Sequence, residues 1–278
     1  MESSNFLIGL SGFKAAEPAV LYRTGRASAI QVLGELNITG KGGKDITSEF
    51  PPKLQEMFLL ILLHSNPSRY EKTGIKTDKL TEILWPSTDS ASAKNARGVA
   101  VKRLRNILAE MDGIELRYED PYWSIVCGEG CVCDYFRMLK LNDELNKHTG
   151  TFQRKKIKRE LYELLNRGKL LKDQRYDWLH SIKAEMTFLL VNGVMSAAEN
   201  ADEFEDEHLK LNLAEIILKW DALNENALKL KIRSLNKLGR YGEAKAAYDV
   251  FAREFAVSFQ MNYGIKYSDL LYTERVSA

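Results

Sequence analysis

Cysteine, histidine and proline are scarce in this chain, and neither sign of charge prevails. Its three cysteines fall between positions 127 and 133 of 278 residues, an odd number too closely set to staple a secreted fold. Extracellular disulfide frameworks need paired cysteines, so this usage points to a reducing compartment. The spacing Cys127-x3-Cys131-x-Cys133 has no further Cys or His beside it, whereas structural zinc takes four ligands. No metal and no other cofactor is expected, and the three thiols are read as small buried residues at a domain junction. The four histidines, His64, His148, His180 and His208, stand far apart without metalloprotease spacing. No catalytic constellation emerges, and the chain is not expected to be an enzyme.

Long apolar runs are missing as well. The most apolar stretch, Met57 to Leu63, is far shorter than the ~20 residues a bilayer span needs. The N-terminus, Met-Glu-Ser-Ser-Asn-Phe-Leu-Ile-Gly-Leu, has neither the basic region nor the apolar length of a secretory signal. A cytoplasmic location without a membrane span is therefore expected. Forty basic residues against 38 acidic leave no global field to attract nucleic acid or membrane. Any charged interface must be local.

What is present divides the chain. Residues 1–29 have no sustained periodicity and read as a leader or linker. In 30–128, alternation through Ile30, Val32, Leu33, Leu36 and Ile38 reads as strand, Gly40 to Gly43 as a turn and Asp45-Ile46-Thr47 as a short return strand. Gly40-Lys41-Gly42-Gly43-Lys44-Asp45 has the residue types of a phosphate loop without its spacing, so a hairpin turn is the better reading. Pro51-Pro52 starts a helix with Leu54, Met57, Phe58, Ile61 and Leu62 on its apolar face. A second helix opens at a capping Thr77 and stops at Trp85-Pro86. A third covers Ser92 to Met111, and Ile114–Tyr118 with Tyr122–Val126 form a hairpin around Glu119-Asp120-Pro121. Residues 129–278 carry helical periods at about 134–147, 151–171, 176–202, 205–220, 225–238 and 242–256.

The third helix is the informative element. Lys94, Arg97, Lys102, Arg103 and Arg105 lie between Ser92 and Asn106 with no carboxylate among them. Val101, Leu104, Leu108 and Met111 share one face, and Asn95, Val99, Lys102, Arg103 and Asn106 the opposite one. Arg and Lys can clamp phosphates or read guanine and Asn can pair with adenine, so the outer face has the chemistry of a major-groove helix. Composition alone leaves a solvated basic face about as good a reading. The second basic run, Arg154-Lys155-Lys156-Ile157-Lys158-Arg159, reads better as a solvated helix face.

A set of short motifs shifts that balance. Phe50-Pro51-Pro52-Lys53-Leu54, Leu80-Thr81-Glu82-Ile83-Leu84-Trp85-Pro86, Ala93-Lys94-Asn95-Ala96-Arg97, Lys102-Arg103-Leu104-Arg105 and Tyr122-Trp123-Ser124-Ile125 follow one another in this order. Together they resemble the winged-helix DNA-binding domain of OmpR-type response regulators, and more closely its version in the AfsR and SARP family of bacterial transcriptional activators. Asn224-Glu225-Asn226-Ala227, Gly239-Arg240-Tyr241 and Glu243-Ala244 with Tyr248 resemble a tetratricopeptide repeat, as in the bacterial transcriptional activator domain of that family.

The resemblance spans about 30–270. It implies an α+β winged-helix domain at 30–128 followed by an all-α helical-repeat domain at 129–278. It further implies double-stranded DNA as partner, with Asn95, Lys102 and Arg103 in the groove, Lys94, Arg97 and Arg105 on backbone phosphates or anchoring the helix beside them, and Arg117 from the hairpin wing. Contact with RNA polymerase, a homodimer or an effector would fall to the helical domain. The wing departs from the family in its acidic tip, Glu119-Asp120, which phosphates would repel. A non-catalytic protein-interaction scaffold and the cytosolic output part of a larger sensor are the competing readings.

Overall fold

The computed structural model describes residues 27–65, 73–146, 151–199 and 207–271, packed as two compact units. Positions 1–26 of the expected leader and His148 lie outside the described residues. The architecture is an α+β winged helix followed by a helical-repeat region.

The first unit holds 36–134 and the strand before it. Strand β1 (Ser28–Gln31) pairs antiparallel with β2 (Asn37–Thr39) and parallel with β6 (Cys131–Cys133). Ser28 and Ala29 thus belong to the folded sheet, not to the leader. The alternating run after Ala29 is two strands, broken where Gly34 takes a positive φ of 84°. The expected return strand at 45–47 is reduced to one bridge, Thr39 with Asp45, and Thr47–Glu49 is a 3-10 turn. Asp45 explains the difference, because its Oδ1 accepts the Thr47 backbone N–H at 2.8 Å and closes a local turn instead of a ladder.

Helix α1 (Pro52–His64) buries Leu54 and every residue from Met57 to Leu63. Its end is tied to the wing through Ser65, whose Oγ donates to the Ile61 carbonyl and accepts the Ile125 N–H at 2.8 Å. Strand β3 (Ile75–Lys76), too short for its period to show in sequence, leads into α2 (Thr77–Leu84). Thr77 does not cap that helix as expected. Lys76 occupies the N-cap position, and the Thr77 hydroxyl donates to the Pro121 carbonyl instead.

Helix α3 (Ser90–Leu108) begins two residues earlier than its apolar period suggests, because Asp89 caps it through the Ala91 and Ser92 amides. It ends before Met111, which is buried beyond it. Strands β4 (Ile114–Glu119) and β5 (Tyr122–Cys127) make the wing hairpin, with β3 on the other side of β5.

The second unit takes in 135–271 of the described residues and a short piece from the N-terminal side, Val32 to Glu35. Its helices are α4 (Asp134–Asn146), α5 (Thr151–Leu165), α6 (Leu179–Glu199), α7 (Glu207–Trp220), α8 (Glu225–Lys237), α9 (Tyr241–Phe259) and α10 (Tyr267–Leu271). The period expected to run to 171 stops at Leu165, after which Leu170 bridges Leu33 and the Leu171 N–H donates to the Val32 carbonyl at 2.7 Å. The period expected from 176 begins at Leu179. In the repeat, Asn224 caps α8 through the Ala227 amide, Gly239 turns the chain at φ 73°, and Ala227, Leu228, Ala244 and Phe251 are buried where the helices meet.

Candidate nucleic-acid interface

Helix α3 packs through Ala93, Ala100, Val101, Leu104 and Leu108. These positions recur at three and four residues, which concentrates the polar residues on the other side. Lys94, Asn95, Val99, Lys102, Arg103, Arg105 and Asn106 are all exposed there. At 100° per residue, Asn95, Val99, Lys102 and Asn106 run down the middle, Arg103 stands on one flank, and Lys94 with Arg105 on the other. The central line is about 16 Å long at 1.5 Å per residue. Neither Lys94, Lys102, Arg103 nor Arg105 is engaged in an ion pair among the described residues. The face also carries an open notch at Gly98, where a Cβ would meet nothing within 4 Å, and Val99 is 61% exposed beside it.

Both ends of the helix are fixed. Asp89, whose carboxyl is held below its usual pKa by hydrogen bonds from Ser92 and Ala91, caps the N-terminus. At the other end the Lys41 ammonium donates to the Ala109 carbonyl at 2.8 Å and its amide to the Glu110 carbonyl. The glycine-rich turn at 40–45, which had the residue types of a phosphate loop, thus clamps the C-terminus of α3.

The remaining predicted residues behave differently. Arg97 is half-buried and turns away from the exposed face, its Nη1 donating to Thr81 Oγ1 of α2 at 2.7 Å. Thr81 in turn donates to the Thr77 carbonyl at 2.7 Å, while Thr77 Oγ1 donates to Pro121 O and accepts Trp123 Nε1 at 3.1 Å. Helix α3, helix α2 and the wing tip are therefore linked by one hydrogen-bonded path. Sequence reading missed Thr77 and Thr81 in this role, although their spacing of four places both on one face of α2.

Arg117, on β4, reaches Glu115 at 2.9 Å and Glu119 at 3.9 Å. The Glu115 hydrogen bond and charge raise its pKa, and its positive charge is answered within the wing. At the tip the Tyr118 hydroxyl donates to Asp120 at 2.6 Å, which raises the phenol pKa, and its ring lies 4.5 Å from that of Trp123. The wing surface is acidic and internally paired.

Elsewhere, Lys156 of the second basic run is exposed and Arg159 lies 3.6 Å from Glu163. The side chains of Arg154, Lys155 and Lys158 lie outside the described residues. No group of three His, Cys, Asp or Glu among the described residues is arranged to hold a metal ion. No described helix is long and apolar enough to cross a membrane.

No protein-family profile and no curated protein matches the chain. Among solved structures, it is similar to Mycobacterium tuberculosis EmbR, determined in complex with a low-affinity phosphopeptide, at a TM-score of 0.62 and 18% sequence identity. The match covers 88% of this chain and 64% of that one, so the chain spans under two thirds of EmbR's length. At that identity the likeness establishes a shared fold: a winged helix continued by a helical-repeat unit.

Proposed function

We propose that the chain is a transcription regulator that binds double-stranded DNA by laying α3 in the major groove. The observation that carries this reading is the outer face of α3, where exposed donors surround Val99 and no carboxylate occurs from Ser90 to Leu108. Asn95, Lys102 and Arg103 face base edges, since Asn matches adenine and Lys or Arg matches guanine, and Val99 meets a thymine methyl. Lys94 and Arg105, on one flank, hold backbone phosphates. Arg97 sets the helix against α2 from behind. Arg117 contributes least, because Glu115 and Glu119 already answer its charge.

The fold shared with EmbR, a SARP-family transcriptional regulator, supports the role at a coarse level. In this reading the chain is cytoplasmic and non-enzymatic. Its tetratricopeptide-like unit serves a homodimer, RNA polymerase or an effector, since stacked helices present extended faces. The acidic, self-paired wing favours one alternative: a winged helix that binds protein instead of DNA.

The deciding experiment is duplex binding by the full chain, measured at several salt concentrations on genomic fragments and on sequences selected from a random pool. Affinity should fall steeply with salt, at about 0.9 logarithmic units per phosphate neutralised for each tenfold rise, and the pool should yield a motif. No retarded fragment at low salt and no enriched motif would leave the protein-binding alternative.

A further inference from the structure

Cys127 closes β5, Cys131 opens β6, and the turn between them is Gly128-Glu129-Gly130. The two sulfurs are 3.7 Å apart, in direct contact. We propose that Cys127 and Cys131 are a redox-active dithiol, a modification site that a hydroperoxide closes to an intramolecular disulfide and a thiol reductant reopens.

The geometry is held by the backbone. The Gly128 N–H donates to the Gly113 carbonyl at 2.7 Å, the Cys131 N–H to the Gly128 carbonyl at 3.3 Å, and the Ser28 N–H to the Gly130 carbonyl at 2.8 Å. Gly113 takes a φ of 67°, and a Cβ there would stand 2.1 Å from the Glu129 carbonyl oxygen. Only glycine lets the two loops close this tightly, and the closure turns both thiols toward one another. A disulfide needs an S–S length of about 2.05 Å, so the sulfurs have to approach by about 1.6 Å.

Cys127 is pushed well above the usual thiol range by its hydrogen bond with Cys131, then by burial, then by the charges of Cys133 and Cys131. Cys127 is partly exposed and Cys131 buried, so a small oxidant meets the pair from the Cys127 side. A deprotonated sulfur of the pair attacks one oxygen of hydrogen peroxide, the O–O bond breaks, hydroxide leaves, and that sulfur becomes a sulfenic acid. The other sulfur then displaces the sulfenic hydroxyl, which departs as water with that thiol's proton. Two thiols lose two electrons and one hydroperoxide is reduced. The bond ties the last residue of the wing strand to the first of β6, and the inference stands whether or not the chain binds DNA.

Glu129 lies between the two cysteines, and the tryptic peptide from Tyr118 to Arg137 contains all three. The full chain, freed of reductant, is treated with hydrogen peroxide, unfolded under a thiol block, digested with trypsin and cut after Glu129. Two of the three thiols should vanish, the monomer should lose two hydrogens, and the two halves should stay joined until reductant is added. Cys133→Ser should leave this unchanged, and Cys127→Ser should abolish it. The proposal fails if the halves separate with Cys131 bonded to Cys133, or if the link runs between chains. It also fails if the wild-type chain keeps all three thiols, or passes to sulfinic acid, at a dose that closes a control dithiol peptide.

Discussion

Arg97 of α3 donates to Thr81 of α2 across 2.7 Å, and that bond is the first step of the path that ends at Pro121 in the wing. The consequence is that the angle of α3 is set by a polar contact as well as by apolar packing. Thr81→Val keeps the shape of the side chain and removes both the acceptor for Arg97 and the donor to Thr77. A net loss of about 1 kcal/mol in stability is expected for a partly buried hydrogen bond of this kind. Affinity should fall for all duplex sequences alike, because the helix is mis-set and no base contact is lost. Chemical denaturation and binding to matched and mismatched duplexes check it; a change confined to one base position would place Arg97 in the groove instead.

The exposed face makes a different prediction for its own residues. Lys102→Ala and Arg103→Ala should each weaken specific binding by about 1–3 kcal/mol where the side chain makes a bidentate base contact, with folding unaffected. Preference at one base position should relax with each. Uniform weakening with a shallower salt dependence would make the residue a phosphate clamp, and wild-type affinity at matched thermal stability would take it out of the interface.

Gly98 separates stability from binding. A glycine inside a helix costs about 0.5–1 kcal/mol relative to alanine, and an added Cβ there meets nothing in the protein. Gly98→Ala should therefore raise the thermal midpoint. If α3 lies deep in a groove, the same methyl group meets DNA, and affinity should drop although the protein is more stable. A variant that is more stable and binds as tightly would show that this part of the helix stands clear of the duplex.

These contrasts also mark where the sequence was legible. The apolar stripe Val101, Leu104 and Leu108 repeats over several turns, so helix α3 and its outward cations follow from periodicity. The wing and the order of helices follow for the same reason. Period fails where an element is too short, as in β3 and β6, or where a side chain is recruited from afar. Thr77 looks like a cap until the Pro121 carbonyl, 44 positions away, claims its hydroxyl. Arg97 and Arg103 are the same residue type on the same helix, but at 100° per residue Arg97 falls on the side of Ala93, Val101, Leu104 and Leu108, where Thr81 receives it. The acidity of the wing tip was visible, and so was the shared face of Glu115, Arg117 and Glu119, which a strand's period of two puts on one surface; that the three side chains close on one another there was not.

The least legible feature is the contribution of residues 32–35 to the helical unit, and it gives the last prediction. Leu33 reads as one more apolar position of an N-terminal strand, yet it is fully buried and bridges Leu170, with Leu171 bonded to the Val32 carbonyl. Gly34 permits this at φ 84°, and its amide donates to the Lys169 carbonyl at 2.9 Å. Truncating a buried leucine costs about 2–5 kcal/mol, from lost transfer energy and the cavity left behind. Leu33→Ala should therefore loosen the helical unit first, although the residue stands among the winged-helix strands in sequence. Amide hydrogen exchange on the full chain gives the readout. Protection should fall in α5 and around 165–172, while α1 and α3 hold theirs. Loss of protection in α1 and α3 with the region around 165–172 unchanged would show that Leu33 stabilises the winged helix instead.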